Sequence, residues 1–321
     1  MAALQMNWPR SDSSYSCTSR AVVRAANVPG NAAVLGGRGM LGVDLAEACR
    51  KSGAFAEVFA ADLPEVDITD ERLLRRALAA LEPKVIFNCA AMTDVDGCES
   101  KRELAFALNA TAAGLVADAA ASLGALLIHV STDFVFDGQK RTPYVEDDPP
   151  APLSVYAQSK LAGERLVAER AGKWIIARTA WLYGRARMNF VDRMLQLGLQ
   201  KEELSVVTDQ VGSPTWTRDL AAALIALAQS GETGIFHATN TGECSRFEQV
   251  KLMFECAGLR ARLRPVDSSA FPRIAAAPDY SPLSVEKLRR RTGHIMRPWA
   301  EALSEYVRTE SPITAGRGTV Q

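Results

Sequence analysis

The chain has 321 residues, 48% of them hydrophobic and 23% charged, enough apolar material for one large or two modest cores of an ordinary globular protein. Its 37 basic and 37 acidic side chains cancel, which removes the electrostatic argument for a nucleic-acid or membrane partner, and no apolar run approaches the ~18 residues of a membrane span. The six cysteines form no Cys-x-x-Cys pair, so zinc and disulfides are not expected, and no metal is assigned.

Residues 1–31 are rich in Ser and small side chains, carry Arg10, Arg20 and Arg24 against Asp12, and lack an apolar centre. A secretory signal does not fit; the segment reads as a disordered extension, with a transit peptide as the alternative. Ala32-Ala-Val-Leu35 then leads into Gly36-Gly-Arg-Gly39-Met-Leu-Gly42, and Val43 to Arg50 follows with helical spacing. Strand, glycine turn and helix in that order form a dinucleotide-binding candidate. Glycine lets the backbone turn tightly and approach a pyrophosphate, whose charge the free N–H groups of a helix N-terminus stabilise. The candidate contacts are Gly36, Arg38, Gly39, Met40 and Leu41.

A second strand, Glu57-Val-Phe-Ala-Ala61, ends at Asp62, 26 residues after Gly36 and placed to meet the adenosine ribose. An acid there favours NADH, whereas Arg38 suits the 2′-phosphate of NADPH, so both cofactors stay open. Asp67 and Ile68 are expected beside the adenine. Arg72 to Leu81 reads as an amphipathic helix, and Lys84-Val-Ile-Phe-Asn88-Cys-Ala-Ala91 as a third strand whose edge residues, Ala90 and Ala91, are small enough to admit a cofactor. An alanine-rich helix from Glu103 to Leu123 returns the chain to the run Ala125-Leu-Leu-Ile-His-Val130. This alternation across residues 32 to 130 predicts an α/β fold with a doubly wound, Rossmann-type parallel sheet.

Ser131 and Thr132 then fall at a strand's carboxyl edge, where open α/β sheets place ligands. Pro149, Pro150 and Pro152 forbid a helix until Ser154, an N-cap candidate, after which Tyr156 and Lys160 lie four apart on one helix face. An ammonium about 4 Å from a phenol attracts its phenolate by roughly 4 kcal/mol at an effective dielectric near 20, which would make Tyr156 a usable general acid or base. Beyond the strand Lys173–Arg178 the alternation weakens, and a smaller α/β substrate lobe is expected. The division is 32–180 and 211–240 for the dinucleotide-binding domain, 181–210 and 241–308 for the lobe, and 309–321 for a frayed tail. His237, in an apolar strand, reads as a packed core histidine.

Six segments, taken in order, resemble the extended short-chain dehydrogenase/reductases and, more closely, the dTDP-4-dehydrorhamnose reductase family. They are Gly36 to Gly42, Asn88 to Asp96, Ser131-Thr-Asp-Phe-Val-Phe-Asp-Gly138, Tyr156-Ala-Gln-Ser-Lys-Leu-Ala-Gly-Glu164, Arg178-Thr-Ala-Trp-Leu-Tyr-Gly184 with Asn189-Phe, and Thr208 to Thr215. The resemblance implies reduction of a dTDP-sugar 4-keto group by NADPH or NADH, in the cytoplasm, for surface polysaccharide. Thr132, Tyr156 and Lys160 would be catalytic, with Tyr156 and Lys160 also holding the cofactor; Thr93 and Asn109 would join the cofactor contacts. Thr132, Asp133, Phe134, Trp181, Asn189 and Gln210 would face the sugar nucleotide, and a homodimer is compatible with this reading.

Two departures bear on the substrate. Phe134 stands where the family often has tyrosine, and Ala277-Pro278 where it usually has Arg-Pro, leaving Arg273 as a basic substitute. Two other readings share the fold. One is a non-catalytic regulatory subunit resembling methionine adenosyltransferase β; the other is a nucleotide-sugar dehydratase or epimerase.

Overall fold

The computed structural model describes residues 30–314; most of the expected N-terminal extension and the end of the expected tail lie outside this range. Six parallel strands form the central sheet: β1 (Asn31–Leu35), β2 (Val58–Ala61), β3 (Pro83–Asn88), β4 (Leu126–Thr132), β5 (Lys173–Thr179) and β6 (Gly234–His237). Their spatial order is β2-β1-β3-β4-β5-β6. The apolar runs read from the sequence become strands, and β1, β3, β4 and β5 are largely buried on both faces, as a doubly covered parallel sheet requires, while β2 at the edge stays partly exposed.

Helices cover each face. On one side α1 (Met40–Ser52) contributes Leu41, Leu45 and Cys49, which pack with Leu220, Leu224 and Leu227 of a later helix, Thr217–Ser230. On the other, α2 (Glu71–Leu81), α3 (Ala112–Leu123) and α4 (Val155–Arg170) bury Leu74, Leu78, Val116, Ala120 and Val167. The helical stretch Arg102–Leu123 is long and apolar enough to cross a membrane, although no unbroken apolar run is. Its second half is committed to this core, where Ala112, Ala113, Val116, Ala117, Ala119 and Ala120 are all buried, while Leu104 in its first turn is exposed.

The smaller lobe is built from α5 (Phe190–Gln200), α6 (Arg246–Ala257) and α7 (Trp299–Thr309), whose side chains close a separate core around Tyr183, Trp216 and Tyr306. Glu203–Val207 and Arg262–Val266 add a parallel strand pair to it. The packing departs from the expected division at three places. Val211–Gly212 and Thr215–Trp216 pair with Cys244–Ser245 and Leu182–Tyr183, not with the central sheet. Leu288 and Met296 return to the first core against Leu224 and Phe236. The start of the tail is packed, because Ser311 is fully buried and its hydroxyl donates to Asp192 at 2.7 Å.

One ion pair fixes α4 to the sheet. Glu164 accepts from Arg178 of β5, at 2.7 Å from its Nη2 and 3.0 Å from its Nε, and from the Ser131 hydroxyl of β4 at 2.5 Å. Both charged side chains are almost wholly buried, at 2% and 4% exposure, so each depends on the other to offset its lost hydration. Glu164→Ala should therefore lower stability by about 3–5 kcal/mol in urea denaturation, because it strands a buried guanidinium. Glu164→Leu combined with Arg178→Met should recover much of that loss; a double variant as unstable as the sum of the singles would show that the pairing is not what matters.

Candidate active site

β1 and β3 are neighbours in the sheet while β2 lies beyond β1, so the chain reverses its winding between β1 and β3 and opens a crevice at their carboxyl ends. The glycine turn fills this point. Gly36 has φ +76°, and a Cβ placed on it would lie 2.8 Å from the Ala90 backbone nitrogen. Only glycine lets the turn lie this close to the edge of β3. At Gly42 a Cβ would come within 2.1 Å of the Gly36 carbonyl oxygen, so the third glycine brings helix and turn together. Gly39 is the N-cap of α1, whose first turn carries no acid and leaves its N–H groups for an anion. This cradle fits a dinucleotide pyrophosphate.

A cavity of about 490 Å³ runs from this turn across the ends of β3, β4 and β5 to the smaller lobe. Gly39, Met40, Leu41, Ala91, Thr93, Thr132, Asp133, Phe134, Tyr156, Lys160 and Trp181 all line it, so most expected cofactor and substrate contacts converge. Ser154 caps α4 by accepting from the Ala157 N–H at 3.3 Å, which starts the helix where Tyr156 faces Thr132 at the end of β4. Phe134 meets the Tyr156 ring edge-on, with centroids 5.9 Å apart.

The electrostatics differ from the simple ammonium–phenol pair. Lys160 donates to the Val130 carbonyl at 2.7 Å, and its Nζ lies 3.3 Å from His129 Nε2. It does not enter the balance at the phenol, where burial pushes the Tyr156 pKa up, a hydrogen bond with Thr132 pulls it down and Asp133 pushes it up. Tyr156 thus holds its proton at neutral pH, the state a proton donor needs. Burial brings Lys160 down to about 8, opposed by the attraction of Glu164. Asp133, also buried, is pushed up to about 6, with hydrogen bonds from Ser281 at 2.6 Å and Thr132 at 3.1 Å opposing that rise.

Other expected site residues hold the protein together and do not line the cavity. Asp62 accepts from the N–H groups of Arg38 and Leu63, both at 2.8 Å, tying the glycine turn to β2. The Arg38 guanidinium pairs with Glu65 at 2.5 Å. Asp67 accepts from the N–H and hydroxyl of Thr69, and Ile68 is buried in the second core. Asn109 sits in a π turn, Ala107–Thr111, where its amide accepts from Met92 N–H and donates to Met92 O and Ser159 Oγ. It braces the chain after β3 against α4. Asn189 caps α5 through Val191 and Asp192, and the Gln210 carbonyl accepts from Arg246 N–H. Local caps and cross-links take up the Asp62, Asp67, Asn109 and Asn189 side chains, whereas at Gln210 it is the backbone carbonyl that is engaged.

Trp181 is held at φ +46°, a strained backbone for a tryptophan. Its ring packs against Gly212, where a Cβ would lie 2.4 Å from the indole. Arg246 covers the ring, with its guanidinium carbon 3.3 Å from a ring centroid. Sequence reasoning did not single out Arg246, Cys89 or His129; a strand histidine three residues before Thr132 was the available signal for the last. His237 behaves as a core residue, fully buried, with Nδ1 3.1 Å from the Tyr144 carbonyl and a pKa pushed down to about 3 by burial.

The family model described as RmlD substrate binding domain matches residues 31–311. The chain belongs to this family. Relatives agree across nearly the whole RmlD-type unit. A dTDP-4-dehydrorhamnose reductase of Mycobacterium tuberculosis is 42% identical over 282 residues, covering 84% of this chain and 90% of that protein. The spore coat polysaccharide biosynthesis protein SpsK of Bacillus subtilis is 38% identical over 278 residues, covering 87% of this chain and 97% of its own. The solved dTDP-4-dehydrorhamnose reductase of Bacillus anthracis in complex with NADP is similar to this RmlD-type chain with a TM-score of 0.83 and 38% identity, over 86% of this chain and 98% of that one.

Because burial lowers the Lys160 pKa to about 8, the ammonium is present below that value and lost above it. Dinucleotide affinity, titrated by fluorescence from about pH 6 to about pH 10, should fall as pH rises through the region of 8. Lys160→Met should bind weakly throughout and remove that step; a step that survives in the variant would assign it to another group.

Proposed function

We propose that the protein is a dTDP-4-dehydrorhamnose reductase that uses NADPH or NADH to reduce the 4-keto group of dTDP-4-dehydro-L-rhamnose, giving dTDP-L-rhamnose for polysaccharide synthesis in the cytoplasm. The observation that carries this reading is the convergence of Thr132, Tyr156 and Lys160 with the glycine cradle on one cavity, in a chain about 40% identical to reductases with that name. When bound, the dinucleotide supplies the hydride.

The protein's own residues handle charge and position. The Thr132 hydroxyl, turning from Asp133, donates to the substrate carbonyl oxygen and polarises it. Tyr156, kept protonated by burial, gives its proton to that oxygen as negative charge develops there. Lys160 is anchored on Val130 and holds the nicotinamide ribose with its remaining N–H. The backbone N–H groups after Gly39 receive the pyrophosphate. Trp181 forms one wall of the sugar site.

A neighbouring substrate is the second reading, since a dTDP-4-keto-6-deoxy-D-glucose reductase of Streptomyces niveus is 36% identical over 274 residues. Phe134, which lacks a hydroxyl beside Tyr156, favours testing both sugars. Nicotinamide absorbance followed with each sugar nucleotide, and with NADH and NADPH in parallel, distinguishes them. With the preferred pair, Tyr156→Phe should lower kcat by about a hundredfold or more while leaving cofactor affinity nearly unchanged. A variant that turns over normally would remove Tyr156 as the proton donor, and wild-type protein that binds dinucleotide without reducing either sugar would overturn the reductase reading.

A further inference from the structure

Three arginines line the cavity: Arg187 at its exposed rim, Arg273 and Arg246. Arg273 is already neutralised by Asp96, at 3.1 Å. Arg246 differs. It is the first residue of α6, which is started by a reciprocal cap between Ser245 and Glu248. Its guanidinium is sandwiched, 3.3 Å from the centroid of a Trp181 ring and 4.4 Å from that of Phe190. A single hydrogen bond, Nη1 to Gln249 Oε1 at 3.0 Å, is its one side-chain polar contact among the described residues, and no carboxylate there forms an ion pair with it.

Such an arrangement fixes the guanidinium plane without using up its donors. Two aromatic faces hold the cation, Gln249 takes one of its five N–H groups, and the remaining edge belongs to the cavity. Asp133 attracts Arg246 through space without pairing with it, and Arg273, whose own pair is Asp96, repels it, so the Arg246 guanidinium has no carboxylate in contact among the described residues. A cation so placed is short of an anion. Among the parts of a nucleotide-sugar, only the diphosphate carries charge, and a planar guanidinium edge matches its oxygens in pairs.

We propose that Arg246 is the smaller lobe's anion contact, receiving the diphosphate of the sugar nucleotide while its stacking holds Trp181 in place. This rests on the reductase reading for the identity of the ligand. It also explains why α6 begins where it does: the Gln210 carbonyl, accepting from Arg246 N–H at 3.1 Å, sets the position from which the side chain crosses to Trp181.

The test is calorimetric titration of dTDP, thymidine and NADPH into wild type, Arg246→Gln and Arg246→Lys, with the KM of the sugar nucleotide measured beside it. Removing a charge-assisted contact to phosphate should weaken dTDP binding by about ten- to a hundredfold and raise the sugar-nucleotide KM by a similar factor. Thymidine and NADPH affinities should hold, which also shows that the variant is folded, and Arg246→Lys should recover part of the loss. Unchanged dTDP affinity in Arg246→Gln would overturn the proposal, as would equal losses for thymidine and dTDP, which would mark Arg246 as a packing residue. If wild type binds NADPH but neither dTDP nor the sugar nucleotide, the reductase reading itself fails, an outcome distinct from a wild type that turns over and is indifferent to Arg246.

Discussion

Glu164 is the residue on which the geometry of the site depends. Tyr156, Lys160 and Glu164 succeed one another at four-residue intervals along α4, so one helical stripe carries the phenol, the ammonium and the carboxylate that anchors both. By taking Arg178 and Ser131 together, the carboxylate joins α4 to β4 and β5 at one buried point. The helix cannot rotate without breaking bonds to two strands. Its charge also opposes the loss of the Lys160 proton that burial favours, so one group both positions the residue one turn away and helps to keep it charged.

The second lobe is tied to this frame by carboxylates of the first domain. Asp133, next to Thr132, accepts from Ser281, which is 148 residues further along the chain. Asp96 accepts from Arg273 and from the Ala275 N–H, at 3.1 and 3.0 Å. Asp44 of α1 does the same at the back, where Thr217 and Arg185 donate to it. Each link joins residues distant in sequence, and two of the three lie against the cavity. The shape of the site is therefore a property of the join between lobes, and the Thr132 hydroxyl shares its acceptor with the C-terminal segment.

The architecture was legible because its signals are local. Buried parallel strands read as apolar runs, Gly36, Gly39 and Gly42 mark a turn in which Gly36 and Gly42 leave no room for a side chain, and Ser154 announces the start of α4 after three prolines. The catalytic candidates followed from spacing on those elements. What spacing could not give is direction. Lys160 sits on the expected face, yet its amine turns to Val130 and His129, and the phenol is governed by burial instead. Asn109 and Asn189 have the right chemistry for ligand contacts, but backbone N–H groups nearby claim their side chains first. Arg246 carries no motif at all; only the folded chain shows that the first residue of α6 reaches a tryptophan 65 positions earlier.

Trp181 has Gly212 behind it and the Arg246 guanidinium over its ring, and its backbone is locked in a left-handed turn. The indole is backed by main chain on one side and covered by a charged side chain on the other. This stretch of the cavity wall is held by packing on both of its faces. The entropy of fixing that surface is then lost when the protein folds and not when the ligand arrives. A glycine with no chemistry of its own, remote in sequence from Thr132, Tyr156 and Lys160, is in this sense a determinant of the cavity's contour.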